Sequence, residues 1–385
     1  MTSALEKSSM RPTWAEIDLE ALAWNFSLVR ARVAPQVKIL AAVKADAYGH
    51  GAVACARRLQ REGADWFGVA TVEEGLELRR ADVSKPILCF GGFWFGQEAA
   101  CLQHEITPVI HRLDMAAALN QEARARSTAV AVHVEIDTGM GRLGIRYDQA
   151  AEFASALRQF ERVHVRGLMT HFAAADLRTR DDFTRAQIAR FREAVDAFRA
   201  CGHQIELEHM ANSAATFAHP DSHGQMVRPG GALYGMWRDV LPRDIAAPLR
   251  PVMNFRTRVM LIKEVRAGET LGYGCTFTAP RAMRVAVLPV GYHDGYARAL
   301  SNCGRVIVKR RFARVVGRVS MDLTLIDVTE ISNLRIGDIA TLWGEQDGKT
   351  LPVEEVAREI GTISYEMTCG VSRRVPRLYL PEEGR

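Results

Sequence analysis

The stretch VKILAAVKADAYGHG, residues 37–51, places five consecutive apolar residues directly before Lys44. Five apolar residues in a row predict a strand that is buried on both faces. Small residues, a tyrosine, a histidine and two glycines follow in the loop. A lysine at the end of such a strand is either one half of a surface ion pair or a nucleophile. The rest of the chain decides between these interpretations.

Strand patterns and amphipathic patterns alternate along the first 235 residues. Eight segments are predicted as strands: residues 37–43, 65–71, 85–91, 106–111, 129–137, 164–172, 204–212 and 225–235. Helical spacing of apolar residues predicts helices at 52–63, 71–82, 113–127 and 182–202. Eight such alternations predict a (β/α)8 TIM barrel, and an open doubly wound sheet would show the same alternation.

The pattern of apolar and polar residues changes after Gly235. Alternating strand patterns cover residues 254–265, 284–292, 304–310, 313–328 and 338–343, and one short helix is predicted at 351–361. The predicted fold is therefore α/β, with a barrel over residues 12–245 and a mostly β domain over 246–385. A segment with three prolines, residues 238–251, is the predicted linker.

The composition excludes several classes of protein. Apolar residues make up 48% of the chain, which indicates a globular protein with a large core. The 50 basic and 45 acidic residues are interspersed, so the net charge of +5 does not indicate a nucleic-acid or membrane partner. The most basic segment, VKRRFAR at 308–314, is predicted to be a solvated hairpin.

Targeting and metal motifs are also missing from the sequence. No apolar run approaches the ~20 residues that span a bilayer, and residues 1–14 lack the apolar region of a secretory signal. The seven cysteines are scattered, odd in number and form no Cys-x-x-Cys, which is typical of reduced thiols in the cytoplasm. The histidine pair in HPDSH, residues 219–223, flanks a proline, so no metal site is predicted.

Mostly polar residues stand where the barrel strands should end, which is where barrel enzymes place their active sites. They are Lys44, Glu135, Asp137, His171, His209, Asn212, Ser213, Arg228, Gly230 and Gly231. Ser213 at a helix start and the two glycines predict a phosphate site, because their backbone N–H groups are open to an anion. A phosphate anchor that faces Lys44 is the layout for pyridoxal 5′-phosphate held as a Schiff base. Arg228 would lie within reach of the pyridine nitrogen and keep it unprotonated, which favours proton exchange over transamination.

Nine motifs in this order resemble those of alanine racemases. They are AVKADAYGHG, DTGMGRLGI, THFA, ANSAA, VRPGGALYG, LGYGCTFTA, PVGYHDGY, GRVSMD and VPR, and together they span nearly the whole chain. The resemblance implies an isomerase that depends on pyridoxal phosphate and interconverts L-alanine and D-alanine for peptidoglycan. It also implies a homodimer whose active site is shared between the subunits.

The resemblance implies roles for particular residues. Lys44 would carry the cofactor and serve as the base on one face, and Tyr273 of the partner subunit would serve the other face. Two bases are needed because a single fixed base returns the proton to the face it left. Since the pKa of a free tyrosine is ~10, Tyr273 needs help to act as a base, and His171 with Arg228 could relay that help.

The remaining positions follow from the same resemblance. The cofactor would also contact Tyr48, His171, Asn212, Ser213, Arg228, Gly230, Gly231 and Arg373. The substrate carboxylate would bind Arg142 and the backbone of Met321. Supporting or entrance positions would be Glu135, Asp176, Tyr292, Arg298, Arg318 and Asp322.

The chain departs from the usual pattern of that family at two positions. Glu135 stands where many members carry a carbamylated lysine, seven residues before Arg142, and we predict that these two side chains pair. Arg373 stands where a tyrosine is usual, close to the phosphate and the catalytic tyrosine. This arginine could pair with the phosphate or reshape the substrate pocket, so a racemase of other or broader specificity, for serine or lysine, stays open.

Other interpretations also stay open. Each residue taken alone has a structural explanation: Lys44 or Arg142 in a salt bridge, His171 as a hydrogen-bonded histidine, Tyr273 in packing, Glu135 as a structural carboxylate. A pyridoxal-phosphate-binding regulator without turnover would need only the barrel. A related decarboxylase would carry an acid rather than Arg228 at the pyridine nitrogen. The segment GMGRLG, residues 139–144, has dinucleotide-binding spacing but follows the fifth strand rather than the first.

Overall fold

The computed structural model describes residues 11–381, so the first ten residues, where a signal peptide is predicted to be absent, lie outside the described part. The chain divides into two compact units. The barrel unit contains residues 22–47 and 51–250. The C-terminal unit contains residues 11–21, 48–50 and 251–381.

The strands of the described chain are short. They are β1 (Thr13–Asp18), β2 (Lys38–Ala42), β3 (Trp66–Val69), β4 (Ile87–Cys89), β5 (Ile106–Ile110), β6 (Val130–Asp137), β7 (Ile145–Arg146), β8 (Val163–Met169), β9 (Leu207–His209), β10 (Met226–Val227), β11 (Met253–Arg258), β12 (Leu261–Val265), β13 (Thr270–Leu271), β14 (Phe277–Thr278), β15 (Met283–Leu288), β16 (Arg305–Val308), β17 (Arg311–Arg314), β18 (Thr324–Asp327), β19 (Ile339–Gln346), β20 (Lys349–Leu351) and β21 (Arg377–Leu380).

Most helices connect the strands of the barrel unit. They are α1 (Leu19–Arg32), α2 (Lys44–Gly49), α3 (Ala52–Arg61), α4 (Val72–Arg80), α5 (Glu98–Gln103), α6 (Leu113–Ala125), α7 (Ala150–Leu157), α8 (Asp181–Ala200), α9 (Ser213–Ala218), α10 (Trp237–Val240), α11 (Val353–Glu359) and α12 (Ser364–Cys369). Within the described residues, no helix has the length and apolar character needed to cross a membrane.

The barrel unit holds a parallel sheet in the order β10-β2-β3-β4-β5-β6-β8-β9. Its two ends approach each other, because Gln225 N–H donates to the Glu208 carbonyl at 3.0 Å and Arg228 N–H donates to the Ala211 carbonyl at 2.8 Å. The sheet is thus a nearly closed eight-stranded barrel. The predicted barrel is confirmed, and each of the eight predicted segments overlaps one of its strands.

The interior of the barrel explains the apolar runs in the sequence. One core cluster takes a side chain from seven different strands: Leu40, Trp66, Leu88, Val109, Met169, Leu207 and Met226. The remaining strand, β6, contributes the buried His133, whose ring centroid lies 5.6 Å from that of Trp66. Because helices cover the outer face, residues on both faces of β2 are buried. The first charged residue after this strand is Lys44.

The C-terminal unit is built from mostly antiparallel sheets, in which β1 and β21 form a parallel pair, and the predicted mostly β domain is confirmed. A seven-stranded sheet has the order β17-β16-β19-β11-β1-β21, with β20 beside β19, and a second sheet has the order β12-β15-β18. The predicted barrel range began at residue 12, whereas β1 pairs with β11 and β21 in the C-terminal unit. The segment 254–265, predicted as a single strand pattern, forms β11 and β12, which belong to different sheets.

The basic segment forms the expected hairpin. Strands β16 and β17 pair antiparallel around Lys309 and Arg310, whose φ angles are 48° and 64°. Two central residues with positive φ are what a two-residue hairpin turn requires, because they match the twist of the strands.

Candidate active site

The loops after β9 and β10 are joined through one serine. Asn212 caps α9 by accepting a hydrogen bond from Ala215 N–H at 3.0 Å. The hydroxyl oxygen of the next residue, Ser213, accepts hydrogen bonds from Gly230 N–H at 2.8 Å and Ala232 N–H at 3.2 Å. The serine and the glycine backbone predicted to form a phosphate site are therefore neighbours.

Arg228, at the end of β10, is 5% exposed. Its Nη1 donates to the carbonyl of His209 and lies 3.1 Å from His209 Nδ1, and its Nη2 donates to the carbonyls of Thr170 and Met210 at 2.6 and 3.2 Å. Within the described residues, Nε–H has no protein partner. Burial lowers the pKa of this guanidinium to about 10, opposed by the charge of Glu135, so Arg228 stays cationic at neutral pH.

A histidine pair extends from Arg228 into the barrel. Because Arg228 can only donate, His209 Nδ1 must be an acceptor, and the proton of His209 lies on Nε2. That nitrogen is 2.7 Å from His133 Nδ1, which must therefore accept, so the proton of His133 lies on its own Nε2. Burial, followed by neighbouring positive charge, lowers the pKa of His133 to about 3 and the pKa of His209 well below its usual value. Both rings are neutral at physiological pH.

Lys44 is half-buried directly after β2, and its Nζ lies 5.9 Å from the centre of the Phe90 ring. The next four residues, Ala45 to Tyr48, have φ angles of 53°, 54°, 52° and 56°. The helical turn assigned as α2 is thus left-handed. Left-handed geometry costs L-residues roughly 1–2 kcal/mol each, and such strain is concentrated at functional sites.

Glu135 lies two residues before the end of β6 and is 4% exposed. Burial raises the pKa of its carboxyl group, and the positive charges of Arg228, Arg142 and Lys44 oppose that rise. Among residues 11–381, no ion pair within contact distance joins Glu135 to Arg142, which is exposed on the loop after β6. The predicted direct pair is therefore wrong. The loop is instead organised by Asp137, whose side chain accepts hydrogen bonds from Gly139 N–H and Gly141 N–H at 3.0 Å each.

His171 follows β8 and lies in the same electrostatic neighbourhood. Burial lowers the pKa of its imidazole to about 3, aided by the charges of Arg228, Arg142 and Lys44. A neutral imidazole at physiological pH can accept a hydrogen bond or a proton. The structure thus places Lys44, Glu135, Arg142, His171 and Arg228 within electrostatic reach of one another. Ser213 contacts the backbone of Gly230 in the loops after β9 and β10. Asp176, half-buried on the loop after β8, makes no hydrogen bond or ion pair within the described chain.

Tyr273 belongs to the C-terminal unit and is 73% exposed. It opens a short 3-10 turn, Tyr273–Cys275, between Gly272 and Gly274, whose φ angles are 74° and 73°. A Cβ at Gly274 would lie only 2.9 Å from Arg318 Nη1, so the glycine makes room for the guanidinium beside the tyrosine. The predicted entrance residue Arg318 therefore lies beside the turn that carries Tyr273.

A second exposed loop of the C-terminal unit carries Met321, which is 52% exposed. Its carbonyl accepts a hydrogen bond from His293 N–H at 3.1 Å, and Tyr292 N–H donates to the Ser320 carbonyl at 3.0 Å. Tyr292 is also exposed, as are Arg298 and Arg373. These predicted entrance and substrate positions lie on the surface of this unit. Tyr48 is buried in the same unit, and burial raises the pKa of its hydroxyl group.

Sequence reasoning missed the residues that hold this surface together. Asp294 is fully buried and accepts hydrogen bonds from Arg374 Nε at 2.7 Å and from Gly291 N–H at 3.0 Å, and it pairs with Arg11. Arg374 also bonds Asp322 at 2.7 Å. Asp294 lies inside the quoted motif PVGYHDGY and Arg374 directly precedes the quoted motif VPR, but the pattern alone does not reveal that the two residues pair.

Fold and site together define an α/β protein whose barrel carries charged and polar residues at the carboxyl ends of its strands. Two family models match the chain, the N-terminal domain of alanine racemase over residues 17–237 and its C-terminal domain over residues 252–379. The chain belongs to the alanine racemase family.

Individual relatives agree with the family models. The alanine racemase of Halothermothrix orenii is 41% identical over 97% of this chain and 98% of its own length. That of Geobacter sulfurreducens is 43% identical over 96% and 97%. Among solved structures, the alanine racemase of Streptomyces lavendulae is 34% identical over 98% of this chain and 99% of its own, with a TM-score of 0.91. That of Bacillus anthracis, solved with bound L-Ala-P, is 29% identical over 97% and 96%, with a TM-score of 0.89.

Proposed function

We propose that the protein interconverts L-alanine and D-alanine by two-base proton transfer, with Lys44 on one face of the substrate and the partner subunit's Tyr273 on the other. The observation that carries the proposal is the convergence of Lys44, His171 and Arg228 at the carboxyl ends of the barrel strands. Burial, together with the charges of Arg228, Arg142 and Lys44, lowers the pKa of His171, and a titratable group perturbed in this way is typical of a reaction site rather than of a separate surface group.

The residues of the barrel unit fit the cofactor of the family. Ser213 with the backbone of Gly230 and Gly231 would hold the phosphate, and the amine of Lys44 would hold the aldehyde carbon. The Nε–H of Arg228, the guanidinium donor without a protein partner in the described chain, would donate to the pyridine nitrogen. When bound, pyridoxal phosphate withdraws electrons from the α-carbon of an amino acid and so acidifies its α-proton.

Arg228 also limits what reaction follows. Its terminal nitrogens are held by the backbone of Thr170, His209 and Met210, so the guanidinium cannot turn. With a pKa of about 10 it holds its own proton at neutral pH and does not protonate a neighbouring nitrogen. A ring nitrogen that stays unprotonated withdraws fewer electrons, which favours return of the proton to the α-carbon over other outcomes.

Proton movement on the opposite face depends on a second base. Lys44 takes the proton from one face, and the Tyr273 hydroxyl oxygen takes or returns it on the other. His171 is neutral, so it can accept a hydrogen bond from the tyrosine hydroxyl and ease loss of that proton. Arg142 and the Met321 backbone N–H would hold the substrate carboxylate, which fixes the α-carbon between the two bases.

The exposure of the second base supports a homodimer. Tyr273, Tyr292, Met321 and Leu323 are 73%, 41%, 52% and 40% exposed on the C-terminal unit. Contiguous exposed apolar groups indicate an interface, and a two-fold dimer would use the same surfaces twice. The proposal includes D-alanine supply for peptidoglycan in the cytoplasm, supported by the reaction class and by cysteines typical of a reducing compartment.

The test is to incubate the purified protein with pyridoxal phosphate and single L-amino acids, and to quantify each D-enantiomer by chiral chromatography. We expect D-alanine to dominate, and Lys44→Ala to abolish both the product and the borohydride-trapped adduct. Absence of any D-product from a protein that still traps the cofactor on Lys44 would favour the non-catalytic regulator.

A broader substrate range is a second candidate, and Arg373 is the observation that favours it. This arginine stands where relatives usually carry a tyrosine, and it is exposed without a hydrogen bond or ion pair in the described chain. Strong D-serine, D-lysine or D-arginine signals in the same experiment would keep the mechanism and change the substrate.

A further inference from the structure

The left-handed turn after Lys44 needs an explanation. Four consecutive L-residues, Ala45 to Tyr48, have φ between 52° and 56°, and Gly49 follows with φ of 83°. At roughly 1–2 kcal/mol per residue, such a turn survives only where its surroundings hold it in place. The groups that hold the turn therefore hold the segment that begins with Lys44.

The start of the turn is held by carboxylates. Ala45 N–H donates to Glu74 Oε1 at 2.7 Å, and the other oxygen of Glu74 accepts from Ala70 N–H at 2.7 Å. Asp46 closes the turn onto the following helix, because its side chain accepts from Ala52 N–H at 2.8 Å. These contacts satisfy donors near Lys44, but they do not hold the far end at Gly49.

The far end is held by Arg377, the arginine of the VPR motif. Its Nε and Nη2 both donate to the Gly49 carbonyl, at 3.2 and 3.1 Å. The other donors bind the carbonyls of Val371, Ser372 and Val375 at 2.7, 2.6 and 2.8 Å. All five N–H donors of the guanidinium thus point to backbone oxygens. A lysine has three donors around a single nitrogen and cannot reproduce this planar fork.

The close packing around Gly49 prevents any other residue at this position from replacing the Arg377 contact with a side chain of its own. A Cβ on Gly49 would overlap the carbonyl oxygen of Thr368, so only glycine fits there. Gly49 has no side chain that could form a hydrogen bond and fix the position of its backbone. The position of its carbonyl therefore depends on the donors that reach it, and Arg377 supplies two of them.

We propose that Arg377 is a positioning residue for cofactor attachment: it holds the Gly49 carbonyl and so keeps the left-handed turn that begins with Lys44. Arg377 acts through the turn. Loss of its fork lets the strained residues relax toward ordinary φ values, and the amine of Lys44 then spends less time in the orientation that binds the cofactor. This inference rests on the proposed role of Lys44 as the attachment residue.

The test compares Arg377→Lys with Arg79→Lys in the full-length holoenzyme. Arg79 is a matched control, because it also donates to four backbone carbonyls, those of Val83, Lys85, His104 and Glu105. None of these carbonyls belongs to the left-handed turn at residues 45–49. We measure the rate at which pyridoxal phosphate leaves each protein, the absorbance of the bound cofactor, and thermal stability. Arg377→Lys should release the cofactor at least tenfold faster with a changed absorbance, and Arg79→Lys should release it at the wild-type rate at similar stability.

A second readout follows the turn itself. Hydrogen–deuterium exchange of peptides covering residues 44–51 should be faster in Arg377→Lys than in wild type, and unchanged in Arg79→Lys. Cofactor release from Arg377→Lys within twofold of wild type, or equal acceleration in both variants, would overturn the inference. If the wild-type protein shows no borohydride-trapped cofactor on Lys44, the proposed function fails instead, so the two failures are distinguishable.

Discussion

Arg228 and Tyr273 lie in two regions that differ in how many contacts their own chain supplies. Arg228 is 5% exposed, and four of its N–H directions meet backbone or histidine partners of the same barrel. Tyr273 is 73% exposed on a turn between two glycines of the C-terminal unit. The difference indicates that cofactor binding is preorganised within one chain, whereas the second base requires another surface to cover it.

Replacing the exposed base tests this difference most strongly. Tyr273→Phe should lower racemisation by roughly 10²–10⁴-fold, the usual contribution of a positioned acid or base, while the cofactor stays bound. Racemisation in both directions and α-proton exchange in D₂O should show that exchange survives for one enantiomer only. Tyr147→Phe, a tyrosine of the barrel unit outside the site, is the control. Wild-type racemisation by Tyr273→Phe would remove the two-base assignment.

The second-largest effect should be a loss of folding stability at acidic pH, caused by the histidines of the barrel unit. The pKa values of His133 and His171 are about 3 in the folded protein, and that of His209 is also lowered, whereas unfolded histidine has a pKa of ~6.5. Below pH 6.5 the unfolded chain binds protons that the folded chain does not, so stability falls as pH drops toward 3.

The size of the acid effect can be measured. Each such histidine should lower the free energy of unfolding by up to about 1.4 kcal/mol per pH unit, opposed in part by Glu135, whose raised pKa favours proton uptake by the folded state. Urea unfolding at pH 7, 6 and 5 gives the slope, and His133→Gln should reduce it. An equal slope in that variant would show that the histidine pair does not titrate as described.

Removing one hydroxyl group from the phosphate site should have a smaller effect. Ser213→Ala deletes the acceptor for Gly230 N–H and Ala232 N–H, and a lost hydrogen bond of this kind costs about 1 kcal/mol. We expect roughly 5- to 10-fold weaker cofactor binding, measured by equilibrium dialysis, with little change in the rate at saturating cofactor. Ser27→Ala on α1 is the control. Unchanged cofactor affinity in Ser213→Ala would show that the phosphate does not bind at Ser213.

Arg373→Tyr should have the smallest effect on rate. The side chain is exposed, so its replacement should leave the fold and the cofactor site intact. We expect the ratio of D-alanine to D-serine formed from equal L-substrates to rise a few-fold, because the proposed role of Arg373 is to admit larger substrates than alanine. Arg314→Tyr on β17 is the control. If the ratio does not change, Arg373 does not determine specificity.

Different parts of the molecule were predictable to different degrees. The barrel strands were predictable because a parallel sheet covered on both faces needs continuous apolar runs, and each run ends in a polar residue at the carboxyl edge. The pairing of β1 with β11 and β21 was not, because a strand's partner depends on contacts more than 200 residues away in the chain. The predicted Glu135–Arg142 pair failed for a similar reason: Asp137 sets the loop geometry, and spacing alone does not show which carboxylate a loop uses.

The sequence by itself determined the fold class, the family and the set of candidate residues, because hydrophobic period and motif order are local properties of the chain. Only the tertiary structure decided the tautomers of His133 and His209, the left-handed turn after Lys44 and the five-donor fork of Arg377. These depend on which atoms meet in a buried, low-dielectric space, and that is set by packing between segments far apart in the sequence.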